Sequence, residues 1–187
     1  DVFVEPTTPL DTVLAQSISD ATNGVAVKLE LAAGSHALTD SLVLDASLGV
    51  SELYLSSSGA VLDLAPATRR RHRRQLEASD GKGAGEMGLG SAAAISISGA
   101  GVTVHLVGLT LTGAEGSAAI SVADGASMFM HGCTISAGNG PAAALVVSGS
   151  GTTVTVINSR LRSNNNTEAN GAGGAAAVSD GGLLLLE

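Results

Sequence analysis

A chain of 187 residues with 44% hydrophobic content, only 2% aromatics and no Trp can bury one sizeable core. That core must be built from Val, Leu, Ile and Ala in many small, similar layers. The 25 Gly against 4 Pro exclude a collagen-like or Pro-rich disordered chain, and a net charge of −8 argues against broad nucleic-acid binding, which needs a basic face.

In chain order, the first element expected is a helix over 8–23. Thr8 is a credible N-cap, Pro9 suits the first helical position, and Asp11 lies in the first turn. Leu10, Val13, Leu14 and Ile18 share one face, and Asn23-Gly24 stops the helix. Val25, Val27, Leu29 and Leu31 then alternate with Ala26, Lys28 and Glu30, as in a strand with one buried face.

Residues 65–92 read as a long loop inserted between two strands, Val61 to Leu64 and Ala94 to Ile97. It carries five of the nine Lys and Arg residues in one run, Arg69-Arg70-Arg71-His72-Arg73-Arg74. The plain reading is a solvated insertion. The sharper one is an arm that binds an anionic partner or sulfated glycan, and Arg71-His72-Arg73-Arg74 would also suit a dibasic protease.

Past the loop the chain repeats. The segment Gly101 to Thr112 matches Gly125 to Ser136 at an offset of 24, and Gly151 to Arg162 after 26 more. A short strand precedes each copy: Ile95-Ser96-Ile97, Ile120-Ser121-Val122 and Leu145-Val146-Val147. A fourth copy opens at Ala177 and runs to Glu187. Val104, Met128 and Val154 form one apolar column and Leu106, Met130 and Val156 the next, with Thr103, His105, Phe129 and His131 facing out. Gly108, Gly132 and Asn158 share a column that tolerates the left-handed conformation, hence a bend. After it Leu109, Cys133 and Ser159 point inward, followed by Leu111, Ile135 and Leu161. As the lone cysteine, Cys133 forms no internal disulfide and is expected to be a buried small hydrophobe.

These columns predict an all-β chain, a right-handed parallel β-helix in one domain spanning 1–187, with the N-terminal α-helix capping its front end. The helix, the strand Val25 to Leu31, the turn Ala32-Ala33-Gly34-Ser35 and the later coils resemble the pectate-lyase-like right-handed β-helix superfamily. Within it, Leu161-Arg162-Ser163-Asn164 and Gly173-Gly174-Ala175-Ala176 are similar to repeats of polymorphic outer-membrane and autotransporter-type surface proteins. There the pattern reads Phe-x-x-Asn and Gly-Gly-Ala-Ile; here Leu replaces Phe and Ala replaces Ile.

The resemblance implies a search for lyase chemistry, which in that family uses Ca²⁺-binding carboxylates and a basic residue. Asp124 and Asp180 share a turn column, but Gly149 stands between them. Two coil spacings of roughly 4.8 Å are too far for one ion. Arg160 and Arg162 face out beside Thr134 and Ser136 rather than beside carboxylates. His105 and His131 lie on columns two residues apart and lack a third ligand. No catalytic, cofactor or metal residue is therefore assigned, and no cofactor is expected. Asn165-Asn166-Thr167 is a glycosylation sequon, with Asn165 the acceptor. Leu183, Leu184, Leu185 and Leu186 form an apolar, uncharged strand with no polar cap after it. The final coil is expected to be incomplete, with an assembly edge there for a protein partner or continuing chain.

The expected function is a non-enzymatic structural or adhesive module of a cell surface, extracellular filament or larger assembly. The alternatives are a polysaccharide lyase-like enzyme and a docking subunit of an intracellular complex. No nucleic-acid partner is expected. No apolar run in the sequence reaches the roughly 18 residues of a membrane span.

Overall fold

A computed structural model describes residues 2–20, 26–38, 41–64, 93–114, 118–136, 143–162 and 174–187. They form a parallel β-solenoid of about five turns, with one short helix near the N-terminus. Three sheets run along it. The largest has seven strands: β1 (Val2–Val4), β2 (Ala26–Leu31), β5 (Glu52–Ser57), β8 (Thr103–Val107), β11 (Ser127–His131), β14 (Thr153–Ile157) and β17 (Leu183–Leu186). A second contains β3 (Gly34–Ala37), β6 (Ala60–Asp63), β9 (Thr110–Thr112), β12 (Thr134–Ser136) and β15 (Arg160–Leu161). The third contains β4 (Leu42–Asp45), β7 (Ile95–Ser98), β10 (Ile120–Ala123), β13 (Leu145–Ser148) and β16 (Ala176–Ser179).

Every pairing between these strands is parallel, and the expected columns hold. Met128 pairs with Val104 and Val154, and Met130 with Leu106 and Val156. All six side chains are buried in the solenoid, while Thr103, His105, Phe129 and His131 face out. Gly108, Gly132 and Asn158 take φ of 68°, 63° and 49°, the left-handed bend expected of their column. Each bend N–H also donates to the coil above: Gly108 to the His131 carbonyl, Gly132 to Ile157 and Asn158 to Glu187. The bend thus turns the chain and ties neighbouring coils together.

The helix α1 spans Leu10–Asp20, within the expected 8–23. Residues 21–25 lie outside the described residues, and the start falls later than Thr8-Pro9 suggested. The Pro9 carbonyl accepts the first helical bond, from the Val13 N–H at 3.2 Å, so Pro9 stands just before the first turn instead of within it. Leu10 and Leu14 are fully buried over the front coil, and Val13 and Ile18 pack against the core. The strand β1 was not expected. Three residues are too few to show an alternation, and β1 is held by parallel pairing with β2.

One interior position departs from the sequence reading, and two polar side chains lie in the core. Leu161 is half-buried instead of buried, because β15 is the last strand of its sheet and no strand among the described residues covers it. His36 lies wholly inside, in line with Leu62. Its Nε2 donates to the Ala32 carbonyl at 2.9 Å, and its Nδ1 has no partner among the described residues. Thr152 occupies an inward position otherwise held by Val102 and Ala126. Its hydroxyl donates to the Ser148 carbonyl at 2.8 Å and accepts the Gly125 N–H at 3.0 Å, so burial leaves it satisfied.

Candidate interaction surfaces

On the outer face of the seven-stranded sheet, parallel pairing places Lys28, Tyr54, His105, Phe129, Thr155 and Leu185 in one row. The Tyr54 and His105 rings stack with centroids 4.2 Å apart and planes 5° from parallel. His105 and Phe129 follow at 5.0 Å and 9°. The Lys28 ammonium lies 5.4 Å from the Tyr54 centroid and covers the first ring. Glu52, on the neighbouring outward row, accepts the Tyr54 hydroxyl at 2.7 Å and meets His105 Nε2 at 3.1 Å. The Tyr54 hydrogen bond holds the Glu52 carboxyl below its ordinary range, and the same bond holds the Tyr54 phenol above its own.

This arrangement consumes the ring faces. Lys28, Tyr54, His105 and Phe129 cover one another along the solenoid axis, so solvent meets ring edges and only the far face of Phe129. A sugar that stacks on an aromatic face has little to stack on here. Around Phe129 the outward residues of β8, β11 and β14 include no Lys, Arg, Asp or Glu. Val107 and Phe129 are among its exposed apolar side chains.

The second surface is the last coil. β17, β16 and β15 each end their sheet. Val178 and Leu186 occupy inward columns, opposite Val147 and Val156, yet are 48% and 65% exposed. Leu183 and Leu185, on the outward face, are 58% and 47% exposed, and of the four β17 leucines only Leu184 packs against the core. The Leu183 N–H donates to the Thr152 carbonyl at 3.0 Å and the Glu187 N–H to Val156 at 2.9 Å. Odd-numbered residues of β17 therefore turn their backbone groups toward β14. The N–H and C=O of Leu184 and Leu186 point to the open edge. At the front end the contrast is plain, since Leu10, Leu14 and Val4 are buried beneath helix and strand.

The remaining expected site residues are not gathered. Asp124 and Asp180 hold left-handed turn positions in one column, with Gly149 between them. His105 pairs with Phe129 and His131 with Val107, so the two imidazoles share no row. Arg160 and Arg162 are exposed on the outer side beside Thr134 and Ser136. Cys133 is buried, its Sγ donating to the Leu106 carbonyl at 3.3 Å, and desolvation pushes its thiol up. No group of three or more His, Cys, Asp or Glu among the described residues is placed to hold a metal ion. A small apolar hollow beside Ile18, Leu44, Val50 and Val102 has room for about one water, too little for a substrate. No described helix is long and apolar enough to cross a membrane. Arg69, Arg70, Arg71, His72, Arg73, Arg74 and Asn165 lie outside the described residues.

Sequence reasoning missed Glu52 and Tyr54 as part of a surface row. The available signal was Leu53-Tyr54-Leu55, which repeats the alternation of Val104-His105-Leu106 across the long insertion. No known protein family, curated protein or solved structure matches the chain.

Proposed function

We propose that this chain is a non-enzymatic structural or adhesive β-solenoid module of a cell surface, an extracellular filament or a larger assembly. The observation that carries the reading is the coil of β16 and β17, the last one described, where inward-facing Val178 and Leu186 are exposed and the outer edge of β17 has no partner among the described residues. Such a coil is stable in water only when a continuing chain or a protein partner covers it. The uncharged face around Phe129 suits lateral contact. The resemblance to surface-protein repeats supports an extracellular setting, and the Arg69–Arg74 run is a second contact for an anionic partner.

The test is sedimentation of the 187-residue chain from nanomolar to high micromolar concentration, beside the double variant Leu183→Lys/Leu185→Lys. Association that is lost in the variant is the expected result. A wild-type chain that stays monomeric throughout overturns the reading.

A further inference from the structure

We infer that Arg160 and Arg162 form a two-armed clamp for a phosphate group, free or carried as the monoester of a small ligand. Nothing in this clamp depends on how the chain assembles. Alternation along the strand puts both side chains on the outer face, with Leu161 between them packed against the core. Their Cα atoms therefore stand roughly 6.6–6.8 Å apart, twice the rise of a strand residue. The main chain holds that spacing. The Arg160 N–H donates to the Cys133 carbonyl and the Arg162 N–H to Ile135, each at 2.8 Å.

The pair is left without a counter-charge. Neither guanidinium forms an ion pair or a side-chain hydrogen bond with a described residue. Arg160 continues an outward row of Thr110 and Thr134, and Arg162 continues the row of Thr112 and Ser136. The first carboxylate in either row is Asp63, opposite Thr112 and three strands from Arg162. That is about 14 Å, beyond the screening length of about 8 Å at physiological salt. Lys28, the other described cation, lies over the Tyr54 ring instead. In a chain of net charge −8, two unpaired cations thus stand side by side and repel each other. An anion seated between them turns that repulsion into attraction. Guanidinium is a planar fork that takes oxyanions two bonds at a time. A phosphate monoester carries about −1.5 to −2 charges at neutral pH and three strong acceptor oxygens, enough to match both forks. A carboxylate, with one charge and two oxygens, matches one. The Thr134 and Ser136 hydroxyls, one strand away at about 4.8 Å, supply further donors. Both arginines are exposed, so a small ligand reaches them without any opening of the fold.

The test is a nuclear magnetic resonance titration of the isotope-labelled chain with inorganic phosphate, O-phosphoserine and acetate at constant ionic strength. The amides of Arg160, Leu161 and Arg162 are followed, which separates this clamp from the Arg69–Arg74 run. Saturable shifts with phosphate are expected, with a dissociation constant on the order of 1 mM, and acetate should bind roughly tenfold more weakly or worse. Tighter binding of O-phosphoserine assigns the ester-borne group, and equal or weaker binding assigns the free ion. Arg160→Gln and Arg162→Gln should each weaken binding by about tenfold or more. The double variant Arg160→Lys/Arg162→Lys keeps both charges but loses the forks, and should also lose about tenfold. All of these keep the main-chain bonds to β12, so their denaturation midpoints should match wild type. No saturable shift at these amides, acetate binding as tight as phosphate, or a double-lysine variant that binds as well as wild type overturns the clamp.

Discussion

Tyr54 and His105 lie face to face across neighbouring coils that the long insertion separates in sequence, their ring centroids 4.2 Å apart. Glu52 bonds both, and Phe129 and Lys28 close the two ends of the stack. The cluster clamps β2, β5, β8 and β11 on their solvent side.

The first prediction uses the fact that Tyr54 is the only tyrosine and the chain has no Trp. Its ultraviolet titration therefore reports one phenol. The hydrogen bond to Glu52, then desolvation, then the carboxylate charge raise it above the ordinary value of 10.0. The bond stabilises the fold below that value and is lost as pH rises through the raised one. Glu52→Gln should bring the titration back toward ordinary tyrosine. Identical curves for wild type and variant mean the bond does not persist in solution. Glu52 itself, depressed chiefly by the same bond, contributes above its ordinary value of 4.5 and loses that contribution as pH falls through its lowered one.

Cys133 supplies the second. Its burial and raised thiol predict slow reaction with a thiol reagent in the folded chain and rapid reaction in denaturant. Fast labelling under native conditions contradicts its place in the column between Leu109 and Ser159.

The bend column makes the third, because its members share a conformation but not surroundings. A Cβ at Gly132 meets nothing within 4 Å, so Gly132→Ala should cost only the left-handed penalty, about 1–2 kcal/mol. At Gly108 it would come within 2.1 Å of the Ser57 carbonyl oxygen, so Gly108→Ala should cost clearly more, on the order of 3–4 kcal/mol. Asn158→Gly relieves the same strain and should leave stability unchanged or slightly raised. Denaturant midpoints of the three variants give the order directly.

The fourth concerns Thr152. Thr152→Val matches the shape of the Val102 column but leaves the Gly125 N–H without its acceptor. A loss of about 1–2 kcal/mol is expected in chemical denaturation, against a gain if burial of the methyl outweighs the bond.

Much of this solenoid was legible in the sequence by itself. Alternation with period two and a recurring Gly or Asn mark where a strand runs, which side it buries and where it bends, because sterics of the local backbone dictate both. That is why Met128, Met130 and Val154, and the bends at Gly132 and Asn158, stood where expected. Tertiary structure alone decided how the coils on the two sides of residues 65–92 stack. Strand β5 reaches β8 across residues 65–92, and only interstrand hydrogen bonding sets that register, so the place of Tyr54 beside His105 was hidden. His36 and Thr152 could be interior only once Ala32, Ser148 and Gly125 were brought within bonding distance. Leu161 carries the apolar character of its column, but burial requires a neighbouring strand above, and β15 has none among the described residues.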